Sequence, residues 1–502
     1  MKRTLISRSL LALVTATLFG CGGGGGDGVV TTTTPPSTGT PAIATSGTTD
    51  LNALSTDAVS NLAISGSVQS IVINSPPVIK FQLINATNNT ALAGLDQWSV
   101  KKSSDKVKAY TNFAFSIAKL VPGTNGSPSK WVSYMVSTPT LDDSGATTGY
   151  TAGRPSTENN GKLTYLENGQ YQYEFRRDIT SVPTQLASLT YSGNNRLADL
   201  GNLTYDKNAV HRLVIQVSGP ARGATTSSTT TTSCNTADGA CAPGATYEFI
   251  RTPVDLVYDW VPATGRVVKV TDTDIEQREI VNVAACASCH NKFTFHGGSA
   301  LKGYGSGRQE ARQCVVCHTD QRKYGRGAST VDAGGNFPTI TPTSASTYTI
   351  DGLSVEGMNS MLDMPVMIHK IHMGEELTRT GYNIAGVYPN HVKYPQLITN
   401  CAKCHSGDAT KPDGTANTIA KADGTVVQMA TPQGNNWNTK PNRQACGACH
   451  DGINFNTGRG TRLSGATTGH GGGGVGEAQA DDSKCATCHS PAGIKKAHVA
   501  VT

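Results

Sequence analysis

The sequence predicts a multidomain protein, with an all-β antiparallel sandwich or barrel over residues 51–271 followed by a domain of loops and short helices over residues 272–502. Three observations carry this expectation. Between Leu51 and Thr271 apolar residues recur with period two, the signature of half-buried strands. Between Cys286 and His489 a single pattern, Cys-x-x-Cys-His, is written five times. The tract from Cys286 to Thr502 allots roughly 40 residues to each repeat, too few for each to build its own core.

The chain opens on Lys2, Arg3 and Arg8 ahead of an apolar run through Leu10, Leu11, Leu13, Val14 and Leu18. That run is too short to span a bilayer as a mature helix and reads as an export signal over residues 1–20. Its end, Leu18-Phe-Gly-Cys21, resembles a bacterial lipoprotein box in which Cys21 becomes the acylated first residue; an ordinary cleaved signal with an incidental Cys is the alternative. Residues 21–50, with Gly22 to Gly26, Thr31 to Thr34, Pro35 and Pro36, read as a flexible lipid-anchored tether. Gly22 carries none of the acidic character associated with retention at an inner membrane, so the outer membrane is the expected location. No other stretch is long and apolar enough to cross a bilayer, which predicts a soluble body on a lipid hook.

Composition narrows the function classes. The charged fraction, 16 %, is low against about 25 % for an average globular chain and suits an exported β-rich protein. The formal net charge of +6 falls by three once the leader is removed, and no basic run remains to argue for nucleic acid.

Within 51–271, Ile79, Phe81 and Leu83 alternate with Lys80 and Gln82, Tyr171, Tyr173 and Phe175 with Gln172 and Glu174, and Val254, Leu256, Tyr258 and Trp260 with Asp255, Val257 and Asp259. Turn-rich stretches at 85–89, 122–126 and 192–195 separate such segments and point to antiparallel pairing. Cys234 and Cys241 follow a Thr/Ser run and, in an oxidising exported setting, read as a local disulfide or a redox-switchable bridge. The domain shows no catalytic arrangement. Its His211 borders the strand 213–217 and reads as structural rather than as a ligand.

The five repeats are Cys286/Cys289/His290, Cys314/Cys317/His318, Cys401/Cys404/His405, Cys446/Cys449/His450 and Cys485/Cys488/His489. Each is a c-type haem attachment signature: the two thiols add to the haem vinyl groups and the following His becomes the proximal iron ligand. Half a zinc site or a redox dithiol also contains Cys-x-x-Cys, yet neither asks for a His directly after the second Cys in every copy. Five covalently bound haem c groups are therefore expected, lying close together and serving as much of the core themselves.

The remaining histidines bear on the sixth iron position. The chain has 12 His, so five proximal residues and His211 leave six candidates, namely His296, His369, His372, His391, His470 and His498. His369 and His372 stand three apart in a segment opened by Pro365 and closed by Gly374, which predicts one helix face reaching two neighbouring irons. Met364, Met367 and Met373 beside them are alternative ligands or core packing. His296 is too close to His290 to turn round the same porphyrin and is expected on a different haem. His470 precedes a Gly run that permits close backbone approach, and His498 lies in a terminal segment able to fold back over a haem. His391, fixed between two prolines, is left out.

At these residues the chain resembles the outer-membrane multihaem c-type cytochromes of metal-respiring bacteria, the OmcA/MtrC family, in a short pentahaem form. The resemblance rests on the lipobox, on Pro76 to Phe81 and Lys119 to Gly123, on Cys286 to His290 followed by His296-Gly-Gly, and on Ile368 to Gly374. It implies Greek-key β domains beside pentahaem domains, with bis-His irons whose distal ligands match His296, His369, His372, His470 and His498 here. It further implies partners: a periplasmic cytochrome and an outer-membrane porin on one side, and iron or manganese oxides, flavins or humics on the other. The Cys234/Cys241 pair resembles the β-domain disulfide of some relatives. With one β domain and one five-haem domain, the chain holds about half of the usual decahaem architecture. The expected function is electron transfer at or across the outer membrane, at the cell surface, with the description "metal reductase" left open. The alternative is a haem reductase of a small anion such as nitrite or sulfite, in which one iron keeps an open position.

Overall fold

The computed structural model describes residues 37–101, 105–221, 250–290, 296, 308–326, 354–355, 359–382, 384, 387–411, 413–420, 426–455, 458–460 and 478–498. Cys21, the Cys234/Cys241 pair and His470 lie outside these residues.

The principal strands, in chain order, are β1 (Ser37–Thr38), β2 (Thr48–Asp50), β3 (Ile64–Val72), β4 (Val78–Asn85), β5 (Thr90–Ala93) and β6 (Phe113–Val121). They continue as β7 (Lys130–Ser133), β8 (Lys162–Tyr165), β9 (Gln170–Glu174), β10 (His211–Val217), β11 (Val254–Val261) and β12 (Arg266–Val267). One sheet runs in the order β1-β3-β4-β9-β8, with β5 on β4 and β2 on β5; the other runs β12-β11-β10-β6-β7. All pairs are antiparallel except β2 with β5. The two sheets pack face to face over the alternating apolar residues. Ile79, Phe81 and Leu83 of β4 and Tyr171 and Tyr173 of β9 share one buried cluster with Phe115, Ile117, Leu213 and Ile215 of the second sheet. Phe115 stacks on Tyr173 with ring centres 3.7 Å apart and planes 12° from parallel, an aromatic contact that joins the layers.

Two expectations need correction. The tether expected over 21–50 ends sooner, because β1 pairs with β3 and β2 with β5 inside that stretch. Backbone pairing needs no apolar side chain, and Gln82 reinforces it by accepting from the Ile43 N–H and donating to its carbonyl. Nor is β10 half-buried, since all seven of its residues are buried. One face meets the opposite sheet. The other, through Val214, joins Ala118, Leu120, Trp131 and Val261 in packing against Val316 and Cys317 of the second motif.

Polar contacts seal this junction between sandwich and motif segment. Arg212 of β10, with no exposed side-chain surface, pairs with Asp259 of β11 and with Glu279, and Arg312 closes the ring by contacting both carboxylates. Gln321 acts as an extra rung on β7, accepting from the Ser133 N–H at 2.8 Å and donating to the Ser133 carbonyl at 3.0 Å. At the far end, Ser127 donates to Asp482 at 2.6 Å. Gly126 beside it has φ +81°, and a Cβ there would come within 2.4 Å of the Asp482 carbonyl oxygen, so the turn at 122–126 must carry glycine at this point.

Candidate functional site

All five motifs share one local shape. The N–H of the His returns to the carbonyl of the first Cys, at 2.9 Å in His290, 2.8 Å in His318, 2.9 Å in His405, 2.8 Å in His450 and 3.0 Å in His489. This single turn puts both thiols and the imidazole on one side of the backbone, as attachment to one porphyrin edge requires. Four motifs use an α-helix for it, namely α1 (Val283–Ala287), α2 (Ala311–Cys317), α4 (Arg443–Cys449) and α5 (Cys485–Cys488), α3 being the His369/His372 helix (Met364–Met373). The third uses a 3-10 turn, Cys401–Lys403. Side-chain caps fix where three of these turns begin: Asn282 accepts from the Ala284 N–H, Glu310 from Arg312, and Asn442 from Ala445.

The protein encloses the cysteines of the five motifs to different degrees. Cys314 and Cys317 of the second motif are buried, whereas Cys289 of the first and Cys488 of the fifth are exposed. The reason is local in the first motif. Helix α1 spends its buried face on Ala284 and Ala285 and ends at Ala287, so Cys289 stands past the helix end, with its Sγ 3.8 Å from the Ser288 hydroxyl. Exposure does not detach it from the series, because Cys289 acts electrostatically on Cys404 of the third motif and on Tyr394.

The other histidines come to these turns from elsewhere in the chain. His372 stands 6.0 Å from His290 between ring centres, His296 5.6 Å from His318, His369 5.9 Å from His405, and His498 6.0 Å from His450. Two imidazole nitrogens that share a metal each lie about 2 Å from it, which puts the ring centres roughly 6 Å apart. The four pairs fit an iron between them, and the Nε2 atoms of His296 and His318, 3.3 Å apart, need to open by less than about 1 Å for it.

Local chemistry sets which nitrogen faces inward. Nδ1 of His318 lies 3.0 Å from the Leu362 carbonyl, that of His372 2.9 Å from Ile368, and that of His498 3.0 Å from Ile494. A carbonyl only accepts, so Nδ1 carries the proton and the Nε2 lone pair is left for metal. For His372 on α3 and His498 on α6 (Pro491–His498) the acceptor is the helix's own carbonyl one turn back. Burial lowers the imidazoles further, His318 and His405 to about 4 and His369 to about 3, so they stay neutral donors. His296 takes a left-handed backbone, φ +63°, uncommon outside glycine.

Helix α3 follows the sequence expectation: Pro365 is in its first turn and Gly374, φ +59°, ends it. Its buried face places Val366 and Met373 among Met361, Leu377, Tyr382 and Ala448, so Met373 packs in the core. Between the two histidines Lys370 is fully buried, donating to the Tyr382 hydroxyl at 3.0 Å and to the Ala448 carbonyl at 3.3 Å. The sites are also close to one another. Cys286 and Cys404 act on each other electrostatically, as do Cys401 with Cys446 and Cys446 with Cys485, while Glu310 bears on both Cys286 and Cys314. Contacts of this kind link the first motif to the third, the third to the fourth and the fourth to the fifth, and Glu310 stands between the first and the second.

Other candidates fall elsewhere. His211 is buried, its Nδ1 donating to the Ala209 carbonyl at 2.9 Å and its Nε2 3.2 Å from the Tyr134 hydroxyl, a satisfied core residue. His391 is exposed and stacks on Tyr388. Among the described residues no three His, Cys, Asp or Glu side chains converge as a zinc site needs. Burial pushes the Cys286, Cys314 and Cys449 thiols up to about 12, opposite to the activation of a redox dithiol. Sequence reasoning missed the Arg212 cluster, Lys370 and the arginines about the second motif. Arg308, Arg312, Arg322 and Arg326 bracket Cys314 to His318, a signal that charge patterning alone offers.

Residues 278–499 match the family model described as outer membrane cytochrome MtrC/MtrF-like, domains II/IV. The motif segment belongs to this family. It is thereby a multihaem cytochrome domain of an outer-membrane family, and the match takes in all five attachment motifs. Among solved structures, MtrC from Shewanella baltica OS185 is similar at 18% identity and TM-score 0.42, over 87% of this chain and 44% of that one. The outer membrane decaheme cytochrome OmcA is similar at 18% identity and TM-score 0.43, over 81% of this chain and 45% of that one. The chain thus spans less than half the length of either. No curated protein matches it. Among the described residues no helix is long and apolar enough to cross a membrane.

Proposed function

We propose that this chain is a lipid-anchored pentahaem c-type cytochrome that conducts electrons at the outer membrane through bis-His irons. The observation that carries the reading is the set of four histidine pairs with ring centres 5.6 to 6.0 Å apart, each joining a motif histidine to one from elsewhere in the chain. On this reading His372 serves the first haem, His296 the second, His369 the third and His498 the fourth; by count His470 is left for the fifth, on His489. The haem supplies the redox chemistry, and the protein supplies attachment, axial ligands and spacing.

Several features support conduction rather than catalysis at iron. With His on both faces, no position is open to a substrate. Helix α3 offers ligands three residues apart on one face, so the first and third irons are neighbours, and the electrostatic contacts between successive motifs make a continuous series. The domain assignment is a leader over 1–20, a lipid anchor at Cys21, a β-sandwich body and a haem domain over 272–502. The electron partners are a periplasmic cytochrome and a porin on the donor side, with ferric or manganese oxides, flavins or humics as acceptors at the cell surface. The test is re-oxidation of the reduced full chain by ferric citrate or a poised electrode. Reversible exchange of all five haems is expected, and a chain that holds haem but exchanges no electrons overturns the reading.

A further inference from the structure

The four histidine pairs do not cross at the same angle. The ring planes of His290 and His372 stand 88° apart and those of His450 and His498 80° apart, whereas His296 and His318 are inclined by 37° and His369 and His405 by 45°. An axial imidazole points one ring nitrogen at the iron, so the iron–nitrogen axis lies in the plane of the ring. The angle between two such rings is then the angle at which they cross about that axis. His369 and His372 share helix α3, so the helix alone does not set it.

Two contacts hold His372 crosswise. Its Nδ1 donates to the Ile368 carbonyl at 2.9 Å, which pins one edge of the ring. The same bond to the residue four before recurs at His498, 3.0 Å from Ile494, the ligand of the other crossed pair. At the first site Tyr394 is added: its ring stands 5.7 Å from that of His372 between centres, with planes 78° apart, an edge-to-face contact. A hydrogen bond leaves a ring free to pivot about it, and a second ring packed against it removes that freedom. Tyr394 is itself fixed by the loop that contains His391. The His391 and Val392 N–H groups close a turn on the Tyr388 and Pro389 carbonyls at 3.0 and 2.8 Å, and the Val392 carbonyl accepts from the Glu375 N–H at 2.9 Å. Gly374 lets this loop meet the end of α3, since a Cβ there would come within 2.1 Å of the Val392 carbonyl oxygen.

The angle matters because each imidazole donates through the π orbital normal to its ring. Aligned rings act on the same iron dπ orbital and split it from its partner, whereas crossed rings act on one each and leave the two level. Low-spin ferric iron has one hole in these orbitals and places it in the raised one, so alignment stabilises the ferric state. Ferrous iron fills both and gains nothing from the splitting. Crossing therefore eases reduction, through axial ligation rather than charge. Resting on the bis-His reading above, we propose that Tyr394 is a positioning residue that holds His372 crosswise to His290 and so makes the first haem easier to reduce than the same iron with aligned ligands. Reduction adds one electron to the iron and makes or breaks no bond. Tyr394 acts through His372.

The experiment is EPR of the oxidised full-length holoprotein, with potentiometry. Level orbitals keep the orbital moment of the hole, so a crossed pair gives a strongly anisotropic low-spin signal and a less crossed one an ordinary rhombic signal. His372→Ala assigns the first haem: one haem turns high-spin and one anisotropic component disappears. Tyr394→Ala should remove that same component, replace it with a rhombic low-spin one of equal intensity and lower the potential of that haem, with the haem count unchanged and none high-spin. The fourth haem, crossed but without Tyr394, should keep its anisotropic signal as an internal standard. Tyr394→Phe, which keeps the ring, should match the wild-type spectrum. Tyr394→Leu, which keeps most of the volume but no flat face, should show the same loss as Ala and stands in for it if the Ala chain does not assemble. An anisotropic component that persists in the Ala and Leu variants, or a His372→Ala chain that loses a rhombic component instead, overturns the proposal while leaving ligation intact. If His372→Ala leaves every haem low-spin, the ligand reading of this site fails instead.

Discussion

Replacing Arg212 with Met tests how the sandwich is joined to the haem domain. Arg212 has no exposed side-chain surface and donates through Nε to Asp259 at 2.8 Å, through Nη2 to Asp259 at 2.7 Å and to Glu279, and through Nη1 to the Arg312 carbonyl at 3.2 Å. Its guanidinium also lies 4.2 Å over the Trp131 ring. Two cations balance two anions in this cluster. Met fills the volume and keeps the contact with Trp131, but leaves two buried carboxylates to share Arg312. Breaking a buried pair from one side costs about 3 to 5 kcal/mol, because a charge remains in low dielectric. Arg212→Met with Asp259→Leu restores one cation to one anion and should recover at least about 1 kcal/mol of that loss.

The pH dependence has a definite sign. Burial alone would raise the Asp259 carboxyl, yet the Arg212 and Arg312 guanidiniums overcome it and hold the group below its ordinary value. In the native chain this stability is present above the unfolded value of about 3.9 and is lost as pH falls through the lower folded value. Without Arg212 burial prevails and the folded value rises. The deficit of the variant is then largest near neutral pH and shrinks on acidification, as protonation removes the unpaired charge. Denaturant unfolding of the holoprotein at pH 7 and pH 5, followed by tryptophan fluorescence, measures both. A deficit under about 1 kcal/mol, or one that does not change with pH, would refute the reasoning.

Three further outcomes are expected. Lys370→Met removes the donor to Tyr382 and to the Ala448 carbonyl inside the fourth motif and should cost about 1 to 3 kcal/mol; unchanged thermal unfolding would count against this buried tie. His369→Ala and His372→Ala should each give one high-spin haem in EPR, at different sites, whereas His391→Ala should give none; the reverse pattern would contradict the pairing. Cys21→Ser should move the protein from the membrane to the soluble fraction, and unchanged fractionation would exclude the lipid anchor.

Much of this organisation was legible in the residues. Alternation at Ile79 to Leu83 and at Tyr171 to Phe175 marks strands because one face of each meets the opposite sheet. Pro365 and Gly374 bound α3 because their backbone preferences are local. Which distal histidine meets which motif was not legible, since His296 and His318, or His450 and His498, are brought together only by tertiary packing. The same holds for the thiols: the five motifs read alike, and nothing in them separates the exposed Cys289 from the buried Cys317. The full burial of β10 also escaped the pattern. Its outward residues, Arg212 and Val214 among them, face the motif segment rather than water, and a buried arginine is indistinguishable in sequence from an exposed one. The strands inside 37–50 were hidden for a related reason: they pair through backbone groups that composition does not report.

The central claim is that every iron carries histidine on both faces, and the most direct measurement is quantitative EPR of the oxidised, full-length protein alongside a haem count per chain. The account predicts five haems, all low-spin, with no stoichiometric high-spin signal. One high-spin haem per chain in the wild-type protein would contradict it and turn the reading toward a reductase with an open iron.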